Sequence, residues 1–328
     1  MKVGIIGTGA IASAMAETLG RMKDAEPYAV ASREEKKAEA FARKWGFKKY
    51  YGSYRELAED SETELIYIAT PHSCHCGDAE LCIENGKPVL CEKAFTGNAA
   101  QAKKIISLAE EKGVFLSEAM WTRYLPGRAV MERIIAGGEI GEVRMVTANF
   151  GGNLADVRRI IDPALAGGAL LDLGIYPLTF AVMVLGKEIE DIVSSCAKFE
   201  TGVDAQNAII LKYKNGALAS LQSSALSGMD QQGIVYGTGG YLIVEDVHNI
   251  RSVKVYDTER RFILEERAPE QITGYEYEVE AAVRAVREGK TECKEMPHKE
   301  SIFMMELMDR IRRDWGIVFP FETEEMEA

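Results

Sequence analysis

Three short stretches carry side chains whose types and spacing suit chemistry. Glu92-Lys93 directly follows the apolar run Val89-Leu-Cys91, placing an acid and an amine at the end of a strand-like segment. A desolvated amine in such a place is suited to proton transfer; a surface lysine opening a loop accounts for the same spacing. In Gly167-Gly-Ala-Leu-Leu-Asp172-Leu-Gly174-Ile-Tyr176-Pro177, a carboxylate and a phenol stand four residues apart, so helical geometry puts them on one face. Together they could orient and protonate a substrate oxygen. The other reading has Asp172 capping a helix from Leu173 onward while Tyr176 packs in the core. The third stretch, Lys2-Val-Gly-Ile-Ile-Gly7-Thr8-Gly9-Ala10-Ile11-Ala12, runs from an apolar strand through glycines into a helix. Gly7 permits the turn, Gly9 admits a phosphate close to the backbone, and Ala12 stands where helix packs on strand. Free N–H groups at the helix start then face a pyrophosphate, so this stretch points to a dinucleotide.

These groups need a scaffold that brings them to one place. Over the first 120 residues, strands at 28–31, 65–69, 88–91 and 114–117 alternate with helical patterns at 11–22, 34–45, 72–85 and 98–112. That alternation specifies a parallel doubly wound sheet. Ser32 with Glu35, Ser53 with Glu56 and Thr273 with Glu276 have capping-box spacing. After a helix at 127–136 come many strand-like segments between 143 and 266, several separated by turns such as Lys214-Asn-Gly216 and Gly239-Gly240, and then two closing helices. The expected division is a dinucleotide-binding domain at 1–120 and a substrate and oligomerisation domain at 121–328. The second is an α+β domain with a large, open, mostly antiparallel sheet. One face of such a sheet must be covered, so self-association to at least a dimer is expected, with residues 208–211 and 218–221 supplying apolar surface.

In a doubly wound sheet, ligands bind beyond the carboxyl ends of the strands. The loops there hold Thr8 to Ile11, then Thr70, Pro71, His72 and His75, then Glu92 and Lys93, with Lys93 towards the nicotinamide end. The second strand ends Ala31-Ser32-Arg33 with no acid to take a ribose 2′-hydroxyl. Ser32 and Arg33 suit a 2′-phosphate instead, so NADP is expected ahead of NAD. His72-Ser-Cys74-His75-Cys76 lacks a second ligand pair at zinc spacing, and no metal is expected. Either histidine could border the nicotinamide pocket or simply open the helix.

Composition narrows the class of partner. A chain of 328 residues with net charge −12 is repelled by nucleic acid and by anionic membrane surfaces. No apolar run is read as long enough for a bilayer, the first strand leaves no room for a signal peptide, and six irregularly spaced cysteines suit a reducing cytoplasm.

The nucleotide turn, Glu92-Lys93 and the 167–177 stretch resemble the Gfo/Idh/MocA oxidoreductases. So do Ser117-Glu-Ala-Met-Trp121-Thr-Arg123-Tyr124, Gly138-Glu-Ile-Gly141-Glu-Val and Tyr275-Glu-Tyr-Glu-Val-Glu. The resemblance runs in order over nearly the whole chain. It extends to the branch of dimeric dihydrodiol dehydrogenases and NADP-dependent D-xylose dehydrogenases. It implies a Rossmann domain plus an open-sheet domain, with hydride transfer between NAD(P) and a sugar, polyol or cyclic diol. It also implies that Lys93 sits by the nicotinamide, that Tyr176 is the acid/base with its pKa lowered by the lysine, and that Asp172 orients substrate. Ala94 departs from the family's Glu-Lys-Pro motif. Loop position and resemblance nominate Trp121, Arg123, Tyr124, Asn153 and Arg158 for substrate contact. Two other functions suit the same fold: a dinucleotide sensor without turnover, and a glycoside-cleaving enzyme that retains its NAD. Lys93, Asp172 and Tyr176 together favour the dehydrogenase, because a sensor needs none of them.

Overall fold

The apolar strand β1 (Lys2–Ile6), whose last four residues are buried, lies in the middle of a parallel sheet. The protein is described by a computed structural model covering residues 1–327. Its first unit comprises Met1–Tyr124 and Gln271–Glu306. There β1, β2 (Glu26–Ala31), β3 (Lys49–Tyr51), β4 (Leu65–Ile68), β5 (Val89–Glu92) and β6 (Leu116–Ala119) run in the order β3-β2-β1-β4-β5-β6. All their pairings are parallel. Between them lie α1 (Ala10–Arg21), α2 (Glu35–Trp45), α3 (Tyr54–Glu59), α4 (His72–Glu84) and α5 (Ala99–Lys112). The strand order reverses between β1 and β4, the place where such sheets bind ligands.

Local chemistry accounts for these elements. In α2, Ala38, Phe41 and Ala42 are buried at helical spacing, and Gly46 ends the helix with φ 77°. The Ser53–Glu56 capping box is present. The Ser32–Glu35 box is not, because the chain stays extended through Glu34, which becomes the N-cap. Ser32 Oγ accepts instead from the Glu34 N–H at 3.4 Å. At α9 (Glu276–Arg287), which follows the sheet strands given below, the Glu276 carboxylate accepts from the N–H groups of Ile272, Thr273 and Gly274.

The second unit comprises Leu125–Glu270 and residues from Leu307 onward. After α6 (Pro126–Gly137) come β7 (Val143–Gly151), α7 (Arg158–Ile161), α8 (Ile175–Leu185), β8 (Ile189–Lys198), β9 (Asp204–Tyr213) and β10 (Leu218–Ser224). Then follow β11 (Gly233–Gly237), β12 (Gly240–Val244), β13 (Ser252–Asp257) and β14 (Phe262–Arg267). The eight-stranded sheet has the order β14-β13-β12-β11-β7-β10-β9-β8. Its pairings are antiparallel except β7 with β10. α8 lies on β7, β10 and β11. Gly233 makes this possible, since a Cβ there would meet the Phe180 ring at 2.6 Å. The chain ends in α10 (His298–Asp314) and α11 (Pro320–Glu327).

Two expectations are corrected. A single second domain over 121–328 is not what forms, because Gln271–Glu306 belongs with the first unit. Its reason is the edge of β6: the Leu116 N–H donates to the Thr291 carbonyl at 3.0 Å, and His298 Nε2 meets the Leu116 carbonyl at 2.8 Å. A returning segment thereby covers an edge that would otherwise be open. Residues Pro163–Leu185 are also long and apolar enough, at mean hydropathy 1.8, to cross a bilayer by composition. Of that window 83% is buried, and α8 within it packs on the sheet, which is where a core helix belongs.

Gly127, in the first turn of α6, is a close approach of backbone to backbone: a Cβ would stand 1.9 Å from the Ile250 carbonyl oxygen. Gly127→Ala is expected to destabilise the protein by about 2–3 kcal/mol in denaturant unfolding. Gly20→Ala is the control, because among the described residues nothing beyond its own helix backbone lies within 4 Å of its Cβ position. It should be neutral, or stabilising by up to about 1 kcal/mol, from helix propensity alone. Equal effects of the two substitutions would contradict the packing argument.

Candidate active site

The cradle at the end of β1 has the shape its sequence implies. Gly7 takes φ 105°, and a Cβ there would lie 2.8 Å from the Ala69 carbonyl oxygen. Its N–H donates to the Ala31 carbonyl at 3.0 Å, so the turn is tied to β2. Gly9 is the N-cap of α1, offers no side-chain cap, and has open space where a Cβ would be. No acidic residue occupies the first turn of α1. Thr8 is half-buried, Ala10 is exposed and Ile11 is half-buried. Helix-start N–H groups, uncapped and next to open space, fit a pyrophosphate. At the end of β2, Ser32 is buried and Arg33 exposed. The guanidinium of Arg33 lies within electrostatic reach of the Tyr54 phenol and of Asp78. Burial pushes the Asp78 carboxyl up to about 6, against the Thr70 hydroxyl that donates to it at 2.6 Å.

The loops after β4 and β5 are bound together by His75. Its Nε2 meets the Thr70 carbonyl at 2.7 Å, and its Nδ1 meets the Ala94 carbonyl at 2.9 Å. Burial lowers its pKa and outweighs those two carbonyls. His75 is therefore a clamp between loops, with no exposed edge for a ligand; His72, also buried, packs edge-on against it at 5.8 Å. Beyond β5 the Lys93–Ala94 peptide bond is cis. The Lys93 N–H donates to Glu92 Oε2 at 3.1 Å, and the Tyr67 hydroxyl donates to Glu92 Oε1.

Three residues nominated for substrate lie in the first unit, buried by their own neighbours. Arg123 donates through Nε to the Glu295 carbonyl at 3.1 Å and pairs with Glu300 at 3.5 Å. The Tyr124 hydroxyl donates to the Glu118 carbonyl at 2.8 Å and meets the Ser117 hydroxyl at 3.0 Å. Both side chains are thus held by partners within the first unit, Arg123 by the returning Gln271–Glu306 segment. Trp121 is buried and stacks on Tyr275 at 4.5 Å, with 15° between the rings.

In the second unit, residues Leu170–Gly174 form a π turn that runs directly into α8. Asp172 therefore sits inside continuous helix and does not cap it. The buried Asp204 holds this turn: its carboxylate accepts from the Leu170 N–H at 2.8 Å and from Asn207 Nδ2 at 2.9 Å. Burial raises Asp204 to about 6 despite those donors. Asp172 pairs with Arg159 at 2.6 Å. Arg158, the nominated arginine, is 84% exposed and turns to Asp162 at 3.2 Å, while Asn153 is exposed. Arg158 and Arg159, neighbours on α7, thus turn to different carboxylates. Tyr176 is 8% exposed within an aromatic cluster, its ring 4.7 Å from Phe150 and 5.5 Å from His248. Asp246 binds His248 Nδ1. Neither Arg159, Asp204, Phe150 nor the Asp246–His248 pair carries a motif. Asp204 and Phe150 come from sheet strands and Asp246–His248 from the loop after β12, where no local signal marks them, while Arg159 reaches Asp172 from α7.

Among the described residues, no group of three or more His, Cys, Asp or Glu could hold a metal ion. Residues 1–120 match the family model described as an oxidoreductase family with an NAD-binding Rossmann fold, and residues 129–243 match the GFO/IDH/MocA C-terminal domain. Trans-1,2-dihydrobenzene-1,2-diol dehydrogenase of Sus scrofa is 34% identical over 329 residues, covering 98% of either chain. The protein of the same name from Oryctolagus cuniculus is 35% identical over 96% of this chain and 99% of its own. Among solved structures, KijD10, a 3-ketoreductase from Actinomadura kijaniata in complex with NADP and TDP-benzene, shares the fold. Its TM-score is 0.87 at 24% identity, over 95% of this chain and 97% of that one. A glycine cradle fit for pyrophosphate, joined to an open-sheet unit and matched along nearly its full length, places the chain in the Gfo/Idh/MocA family of NAD(P)-binding oxidoreductases.

Proposed function

We propose that this oxidoreductase is an NADP-preferring dehydrogenase that acts on a hydroxyl or carbonyl of a cyclic diol, sugar or polyol. The observation that carries the cofactor choice is the end of β2, where buried Ser32 and exposed Arg33 stand and no carboxylate does. The names of its dihydrodiol dehydrogenase relatives support the substrate class. Gly7, Thr8, Gly9, Ala10 and Ile11 would hold the pyrophosphate, and Ser32 with Arg33 the 2′-phosphate. Thr70, Pro71 and Glu92 shape the loops along the rest of the crevice. The bound nicotinamide supplies hydride exchange at carbon. Lys93 and Tyr176 are the amine and phenol that handle the hydroxyl proton. Asp172, by fixing Arg159, presents a hydrogen-bonding pair to substrate oxygens.

The protein works on this reading as a self-associating, cytoplasmic enzyme with no membrane or nucleic-acid partner. All six cysteines are free thiols, which suits a reducing compartment. Two apolar cross-strand pairs support association: Val193 with Ile210, 62% and 45% exposed, and Leu218 with Met145, 36% and 40% exposed.

Arg33→Ala should lower the NADP/NAD ratio of kcat/KM by roughly 10- to 100-fold, the worth of a hydrogen bond to a charged group. An unchanged ratio would contradict the assignment. Tyr176→Phe should lower kcat by roughly 10²–10⁴-fold with little change in NADPH affinity; near wild-type turnover would remove the phenol from the mechanism. Ile210→Lys should convert the sedimenting species of wild-type protein, at least a dimer, to monomer. A wild-type monomer at micromolar concentration would contradict self-association.

A further inference from the structure

The loop between β12 and β13 is pinned on both sides of His248. Val247 is fully buried, and its N–H donates to the Gln231 carbonyl at 2.9 Å. The Val247 side chain and the Phe180 ring of α8 both close over Gly233. Ile250 is buried as well, and its carbonyl is the one that approaches Gly127 of α6. Between these anchors Asp246 holds His248 itself. One carboxylate oxygen, Oδ1, accepts from the His248 backbone N–H at 3.3 Å and lies against Nδ1 of the ring. A nitrogen lone pair turned to a carboxylate would be repelled, so Nδ1 carries a proton and Nε2 is the nitrogen turned away from Asp246.

The ring fixed in this way stands edge-on to two aromatic neighbours. Its centroid is 4.7 Å from that of Phe150, at 68° between planes, and 5.5 Å from that of Tyr176, at 62°. A phenyl group would pack against those rings equally well and would need no carboxylate to orient it. An acid tied to both the backbone and the ring of one histidine is the kind of support that fixes a functional side chain. The His248 side chain is 23% exposed while Nδ1 is closed off from solvent, so the open part of the ring lies away from Asp246.

We propose that His248 is a specificity-determining residue: its imidazole, oriented by Asp246, takes a hydroxyl on the carbon next to the one whose oxygen Tyr176 serves. The site then selects vicinal diols and sugars over simple alcohols. The place of Tyr176 at the reacting oxygen is the reading given above, and the proposal rests on it; the orientation of His248 by Asp246 does not. Neighbouring carbons carry their oxygens close enough together for two adjacent side chains to hold one each. Neutral imidazole accepts from the second hydroxyl through Nε2, and imidazolium donates to it, so the contact serves in either charge state. A site built to bond a hydroxyl rejects the analogue that lacks it, because its own polar group is then left without a partner.

The test compares trans-cyclohexane-1,2-diol with cyclohexanol, one ring with and without the second oxygen, each oxidised with NADP. Wild type should favour the diol in kcat/KM. His248→Phe keeps a ring against Phe150 and Tyr176. It should cut that preference by roughly tenfold or more through loss on the diol, with cyclohexanol changed by no more than about twofold. His248→Gln, whose amide still bonds a hydroxyl, should keep part of the preference, and Asp246→Asn should lose part of it. Equal losses on the two alcohols would mean a packing role, and an unchanged ratio no role; either overturns the proposal. A second measurement needs no turnover. In nitrogen NMR of labelled histidine, the signal among four histidines that vanishes in His248→Phe should show protonation at Nδ1. With NADP present, its Nε2 resonance should shift on adding the diol and stay in place on adding cyclohexanol. Protonation at Nε2 alone, or no shift with the diol, overturns the proposal even where the diol is oxidised. An Nε2 shift without oxidation of either alcohol upholds the contact at His248 and removes the dehydrogenase reading instead.

Discussion

At Gly7 the chain leaves β1 in a left-handed turn packed so closely on the Ala69 carbonyl that no side chain fits. Much of the first unit follows from that contact. It fixes β1 beside β4, at the place where the strand order reverses, and it aims the start of α1 over the crevice. The helix start is left uncapped, so its N–H groups remain available to an anion. A side chain at position 7 would have to move backbone, and the whole crevice with it. The loops after β4 and β5 are held at the same end of the sheet by one imidazole, that of His75, bridging two carbonyls. The crevice is thus built mainly from backbone, which is stiff, with Ser32 and Arg33 at the end of β2 beside it.

The second unit meets a different problem, which is to hold a carboxylate and a phenol in fixed relation on a helix that is apolar nearly all round. It does so by widening one turn. The π turn at Leu170–Gly174 is pinned by Asp204 from β9, and Gly168 and Gly174 leave room for the neighbouring Asp204 and Ser223. Wide turns of this kind recur at functional sites because they redirect side chains without ending the helix. Asp172 then meets Arg159, and Tyr176 is braced by Phe150 and His248. A buried polar group carries this arrangement, so a change at Asp204 would be felt at Tyr176 without touching it.

How much of this could be read from the chain depends on whether a feature is local. The turn from Lys2 to Ala12 states its own geometry, since glycine placement, an apolar strand and a helix start are adjacent in sequence. The Ser53–Glu56 cap is local in the same way, and it forms. Ser32 and Glu35 have the same spacing, yet strand β2 keeps the chain extended past them. β3 has only Lys49-Tyr-Tyr to announce it and gains its identity from pairing with β2. The return of Gln271–Glu306 to the first unit is invisible to periodicity, and so are the partners it brings to Arg123. His248 illustrates the limit: a lone histidine in a long loop gives no hint that it will stand against Tyr176.

The central claim is that the crevice beside Gly7 holds a 2′-phosphorylated dinucleotide, and direct binding tests it without reference to any substrate. Isothermal titration of the purified chain, freed of co-purifying nucleotide, should give one saturable site per chain for NADPH. The same site should bind NADH with affinity lower by about tenfold or more, as loss of contacts to a charged group requires. Absence of heat and of saturation for both nucleotides, or tighter binding of NADH, would contradict the account.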